Sequence, residues 1–342
     1  MRKNLLLTYL FLLASLITKA QNEGWAICNS GANLYFKIVG SGNPVLVVSD
    51  VGNSSAYLKD LIRKLSETNR VVYYDPRATG KSRFPYINDT TVNFNKAVAD
   101  IEALRMVLRI PKWSVLAHGF GAKIACAYAS QAGNHLGQLI LVNPIAMNEP
   151  PTASTDAYFD TYEDYGFSGM LSQEVINRRF EKLQQYLQTL TSDSLARAKA
   201  IMGFQAATYV HDTLHEPIAA DFLYEKIQNV AVKSRVSSKF VPKPFDCIST
   251  LRQRAIPVMV VLSRQRYNLN GLVNYWKKSL PNADIAVIDR AHHFPWLDNP
   301  TAFFDKVNPF LQRFVSEAYV TQVPPKKVSR PVGRGYQRRK RY

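Results

Sequence analysis

The chain has 342 residues, 46% hydrophobic and 20% charged, with a formal charge of +17. That composition excludes a wholly disordered chain, and three cysteines (Cys28, Cys126 and Cys247) are too few for a disulfide framework. The positive charge is unevenly placed: eight of the cations lie in residues 321–342, a stretch with no acidic residue.

Residues 1–20 have the layout of a cleaved signal peptide. Arg2 and Lys3 open it, Leu5 to Ile17 form an apolar run, and Thr18-Lys19-Ala20 ends in a small residue. The run is shorter than the ~18–20 residues a membrane-spanning helix needs. Export to the periplasm or outer-membrane surface is therefore expected, with a mature chain from Gln21. A Cys28–Cys247 bridge stays an open pairing, and Cys126 reads as a small core residue.

The alternating, β-rich run Asn33–Val39 predicts a strand, the Gly40–Pro44 turn follows, and Val45–Val48 predicts a short buried strand. Ser54–Leu65 reads as helix and Arg70–Tyr74 as a third strand. Asn93–Leu108 carries Ala97, Ile101, Leu104, Val107 and Leu108 at helical spacing. Next comes the stretch around which the chain is organised. An apolar run from Trp113 enters a tight glycine-bearing corner, Ala117-His118-Gly119-Phe120-Gly121, and a small-residue helix follows. This is the strand–elbow–helix layout of G-x-S-x-G, where a sharp turn lifts a nucleophilic serine above the sheet edge. Here Gly119 stands at the nucleophile position. Leu139–Val142 reads as the next strand.

From about 148 to 245 the alternation breaks, and helical patterns over Ser172–Leu190, Ser194–Met202 and Pro217–Ala231 imply an inserted helical cap. It resumes with a strand at Ile256–Leu262, a helix over Gly271–Leu280, a strand at Asp284–Ile288 and a helix over Thr301–Tyr319. The expected fold is α/β, a doubly wound, mostly parallel sheet with a helical cap. The implied divisions are a signal peptide (1–20), core (21–147), cap (148–245), core (246–320) and a disordered basic tail (321–342).

In order, the motifs are Gly42-Asn-Pro44 with its apolar strand, Asp75-Pro-Arg77-Ala-Thr-Gly80-Lys-Ser82, the elbow, Val142-Asn143-Pro144, Ile256-Pro257, and His293-Phe294-Pro295-Trp296-Leu297-Asp298-Asn299-Pro300. As an ordered set they resemble the α/β-hydrolases of the prolyl-iminopeptidase-like group, from about residue 30 to 317. Gly80-Lys81-Ser82 ends like a phosphate loop, but Asp75 stands where its first glycine belongs.

The resemblance implies a serine, a histidine, an acid that orients it, and backbone donors for the oxyanion. The serine position is Gly119. The acid would fall in Ser263–Asn268, where the aligned residue is Arg266; some relatives place it after the sixth strand, where this chain has Asn143. The oxyanion loop reads Ser49-Asp50-Val51-Gly52, and Asp50 brings a negative charge where one should develop. His293 alone keeps its family position, so no catalytic set is intact among Gly119, His293 and Arg266. His118 fills a family position and reads as structural. A vacated pocket is expected to favour an anion at the Phe120 amide, with extra room where the serine side chain is missing.

The expected binding positions are Phe120, Val51, Asp50 and His293 in that pocket, with Tyr158, Tyr162 and Glu163 in an acidic-aromatic run opening the cap. His211 and His215 sit at i, i+4 on an expected helical cap face. They lack a third ligand and read as a solvated face, so neither a metal nor a cofactor is expected. The basic tail presents Lys326, Lys327, Arg330, Arg334, Arg338, Arg339, Lys340 and Arg341. In an exported protein its counterpart is an anionic surface (lipid head groups, lipopolysaccharide or a wall polymer) or an envelope protein complex, and nucleic acid fits poorly. The functional expectation is an inactive hydrolase homologue serving as a binding or accessory subunit. The alternatives are a peptidase or esterase with a non-standard nucleophile, and a small-molecule binder using the old pocket.

Overall fold

The computed structural model describes residues 22–28, 31–82, 84, 86–131, 133–144, 147, 172–190, 193–236, 247–265 and 269–314. Strand β1 (Glu23–Ile27) pairs antiparallel with β2 (Asn33–Val39), which pairs antiparallel with β4 (Asn69–Tyr74). The remaining strands are parallel: β3 (Asn43–Val48), β5 (Trp113–His118), β6 (Leu136–Val142), β7 (Val258–Ser263) and β8 (Asp284–Ile288). The order across the eight-stranded sheet is β1-β2-β4-β3-β5-β6-β7-β8. The doubly wound sheet expected from the sequence is present. β1 was not anticipated; Gly24 interrupts its five residues, whose exposed and buried positions nonetheless alternate.

Both faces of the sheet are covered, which explains why the central strands are continuously apolar rather than alternating. Leu46 and Val48 of β3 join the cluster that holds Phe94, Trp113, Tyr128 and Trp276. Val45 and Val47 join the opposite one, with Leu58, Phe303 and Phe310. The helices of the core are α1 (Lys59–Leu65), preceded by a 3-10 turn at Ala56–Leu58, α2 (Phe94–Val107) and α3 (Gly121–Gln131). Asn93 caps α2 by accepting from the Lys96 amide, the local signal that starts it. The cap contributes α4 (Gln173–Thr189), α5 (Ser194–Ala206), α6 (Glu216–Gln228) and α7 (Val230–Ser234). After it come α8 (Ile248–Gln253), α9 (Leu269–Ser279), α10 (Pro295–Asp298) and α11 (Pro300–Gln312).

Two expectations change, and the open cysteine pairing is answered. The last helix ends at Gln312, and residues 315–342, the basic tail included, lie outside the described residues. His211 and His215 do not share a helix face: His211 lies in a bend before the 3-10 turn Thr213–His215. All three cysteines are buried and free, and the thiol beside Cys247 is that of Cys126, which hydrogen-bonds it, not Cys28. Cys28 lies instead near Arg77 and Asp100. No helix among the described residues is long and apolar enough to cross a membrane.

Candidate functional site

The elbow is built as its sequence requires. Gly119 sits at φ +57°, the left-handed region that side chains resist, and its amide donates to the Val142 carbonyl. Two residues on, a Cβ at Gly121 would lie 2.3 Å from the Ser49 carbonyl oxygen, so glycine there lets α3 close onto the β3 end. The α3 N-terminus and the loop after β3 therefore meet, and Asp50 lies between them.

Asp50 is the centre of the site. Its Oδ1 accepts from two backbone amides, Val51 and Phe120, each at 2.8 Å. Its Oδ2 accepts from Lys226 Nζ at 2.6 Å and lies 4.0 Å from His293 Nε2. The two amides are the pair that would hold an oxyanion in this fold. The carboxylate also fills the space of the absent serine: a Cβ on Gly119 would lie 2.7 Å from Asp50 Cγ and 2.8 Å from Oδ2. The Phe120 amide holds the chain's own carboxylate rather than an external anion. The expectation of extra room is overturned, because that side chain takes it.

Burial alone would push the Asp50 carboxyl up, but Lys226 beside it and the donors around it hold it below its ordinary value. Lys226 belongs to α6, and its ammonium also lies over the Phe222 ring one turn earlier, 4.6 Å from the centroid. The same helix grips the Asp50 loop at further points. Asn53 Nδ2 donates to the Phe222 carbonyl, the Ser54 amide donates to Glu225 Oε1, and Asn229 Nδ2, just past α6, donates to the Gly52 carbonyl. Burial raises the Glu225 carboxyl, against the opposing bonds from Ser54.

A second chain of bonds sets the histidines. The Asp50 amide donates to the Tyr57 hydroxyl, which lies 3.0 Å from His118 Nδ1. His118 Nε2 lies 3.0 Å from the His293 carbonyl oxygen, which can only accept, so Nε2 carries the proton. His118 is fully buried and structural, as its position implied. The His293 ring packs between Tyr209, Phe222 and Phe294, and its amide donates to the Tyr209 carbonyl of the cap.

Asn143 does not take the orienting acid's role by bonding the imidazole. Its Nδ2 donates to the carbonyls of His292 and His293 and to Ser263 Oγ, and its Oδ1 accepts from the Ser263 amide. It ties the end of β7 to the histidine loop. Arg266 lies outside the described residues; of its neighbours, Arg264 pairs with exposed Asp289, and Gln265 accepts from the Ala291 amide. Tyr158, Tyr162 and Glu163 also lie outside them. Asp298 shows what the motif after His293 does: its carboxylate accepts from the amides of His211, Asp212 and His292 and contacts His215 Nδ1. The second motif is likewise structural, with Arg77 forked onto buried Asp100 and Asp75 accepting from Ser55 and Lys81.

Asp50, His118 and His293 offer ligand atoms within 4.8 Å of one another, the spacing of a metal cluster. The chemistry does not suit a cation. An ammonium already sits on the carboxylate, and both His118 nitrogens face protein partners. Sequence reasoning missed Lys226, 176 residues from its partner, and Tyr57; neither stands in a motif that marks it.

A parallel sheet whose central strand breaks through a positive-φ elbow into a helix, with a histidine loop after the last strand and a cap above, is the architecture of an α/β-hydrolase. The family described as alpha/beta hydrolase fold matches residues 43–300, and the chain belongs to it. Among its relatives, a proline iminopeptidase of Heyndrickxia coagulans is 23% identical over 279 residues, covering 80% of this chain and 91% of the relative. The solved proline iminopeptidase of Mycobacterium smegmatis superposes with a TM-score of 0.62 at 16% identity, over 85% of this chain and 98% of that one. An esterase from Rhodococcus sp. gives 0.61 at 16% identity, over 85% and 98%. The chain is thus similar to both peptidases and esterases of that family.

Proposed function

We propose that this α/β-hydrolase-family protein has left serine acyl transfer and works by binding, as an exported accessory subunit at the cell envelope. The observation that carries the reading is the Asp50 carboxylate seated on the Val51 and Phe120 amides beside Gly119. An acyl substrate would need both amides for its developing oxyanion, and would need a nucleophile where no side chain exists. Export is supported by the layout of residues 1–20, and an anionic counterpart by the eight cations of the tail.

The relatives favour a second reading, since they include peptidases and an esterase: hydrolysis with a non-standard nucleophile. In this chain the group facing His293 at the old serine position is the Asp50 carboxylate. One experiment separates the readings: turnover of aryl esters and amino-acid amides, proline amides included, by wild type, His293→Ala and Asp50→Asn. Equal rates in all three, at the buffer level, are expected. A His293-dependent rate would establish the hydrolase reading instead, and its loss in Asp50→Asn would name the nucleophile. The accessory reading makes its own demand, that deletion of residues 321–342 abolishes capture of an envelope partner.

A further inference from the structure

We propose that the Val51 amide, the Phe120 amide and the Lys226 ammonium form a carboxylate-binding site, filled at rest by Asp50 and able to take a small external carboxylate when that side chain is absent or turned out. The donor set differs from an ordinary oxyanion hole in its third member. Two amides suit a transient oxyanion, whereas a buried ammonium opposite them suits a standing carboxylate with two charged oxygens. Each oxygen of Asp50 has its own donors: Oδ1 takes both amides at 2.8 Å and Oδ2 takes Lys226 at 2.6 Å. Among the described residues, the other groups near the carboxylate are compatible with an anion, His118 included, whose ring nitrogens face Tyr57 and the His293 carbonyl. Gly119 offers no side chain, His293 Nε2 is 4.0 Å away, and the Phe222 ring lies beneath Lys226.

Such a site is costly to leave empty. Without an anion, a buried ammonium and two inward amides lose the charged acceptor they converge on. Lys226 is anchored on cap helix α6, so whatever anion fills the site also holds the cap to the β3 loop. The ligand class follows from the stereochemistry: a monocarboxylate with at most one carbon beyond the carboxyl, the size of the side chain it replaces. The inference deepens the binding reading of this centre. Turnover of the ester panel would sink that reading without touching the site.

The test uses the full mature chain with Asp50→Ala, and formate and acetate as probes. Chloride at matched ionic strength and methylammonium serve as controls. Asp50→Ala is expected to melt below wild type and to recover saturably with formate or acetate, half-maximally in roughly the millimolar range for ligands of so few atoms. Chloride and methylammonium should not reproduce the recovery, and Asp50→Ala/Lys226→Met should lose most of it. Wild type, its site filled, should show less than about a tenth of the shift on the same linkage argument. A folded Asp50→Ala with no carboxylate-specific response overturns the proposal, as does a wild-type response equal to the variant's, which would place the ion elsewhere. Should Asp50→Ala not fold, Asp50→Ser empties the same space and is read in the same way.

Discussion

At Gly119 a side chain meets two obstacles, the left-handed backbone and the Asp50 carboxylate 2.7 Å from any Cβ. Gly119→Ala is therefore expected to lose about 2–4 kcal/mol, the sum of φ strain and overpacking, read from the urea midpoint. Gly119→Ser should lose as much and gain no esterase activity, because its hydroxyl would need the place Asp50 holds. Appreciable turnover by Gly119→Ser would show that the Asp50 carboxylate does not block the elbow. At Lys226, loss of the ammonium strands a buried carboxylate still held by two amides. Lys226→Met is expected to cost about 3 kcal/mol, near the lower end for one partner of a buried pair because the amides remain. Adding Asp50→Asn to it should recover part of that loss, which a double-mutant cycle measures. The Asp50 carboxyl is held below its ordinary 3.8, so its stabilisation is full above that value and disappears as pH falls through the lower folded value.

Helix α6 works as one element against the loop after β3. Lys226, Glu225, the Phe222 carbonyl and the neighbouring Asn229 reach four residues of it, Asp50, Ser54, Asn53 and Gly52. Amides Val51 and Phe120 should accordingly exchange slowly and together, and both should accelerate in Lys226→Met; acceleration at one alone would deny the shared carboxylate. Glu225 has the opposite pH sign to Asp50. Its folded value is raised above 4.5, so the folded state keeps a proton the unfolded chain has released. Stability from this residue is therefore present at acid pH and lost as pH rises from about 4.5 through the raised folded value. Glu225→Gln keeps an oxygen for the Ser54 amide and removes the titration. Relative to wild type it should gain stability as pH rises from 4.5 to 7, measured by denaturant midpoints.

Over the whole molecule, the thiols report on the integrity of one face of the sheet, since all three lie in the cluster that holds Phe94 and Trp113. Cys28, Cys126 and Cys247 are buried; burial pushes the Cys28 thiol up to about 12 and raises Cys126 well above its ordinary value, helped by its contact with Cys247. A thiol reagent at pH 8 should find none of the three in the native protein and all three after unfolding. Rapid native labelling would show that this face of the sheet opens locally. The eight cations of residues 321–342 carry the charge that would meet an anionic surface, so deleting them should alter salt-dependent capture by such surfaces.

The order of strands and helices was legible because both faces of the sheet are buried: Val45–Val48, Trp113–His118 and Val258–Ser263 read as apolar runs without long-range information. Cap helices declared themselves by their helical patterning over Ser172–Leu190, Ser194–Met202 and Pro217–Ala231. β1 was missed because five residues around a glycine carry too weak a period. Gly119, Asp50 and His293 were identifiable by their place in an ordered set of motifs, and the absence of a serine is a fact of sequence alone. That Asp50 turns into the amides, that Lys226 meets it there, and that Asn143 and Asp298 bind backbone rather than the imidazole were decided only by tertiary structure. A hydrogen bond depends on distance and direction between groups up to 176 residues apart, and no local pattern encodes either.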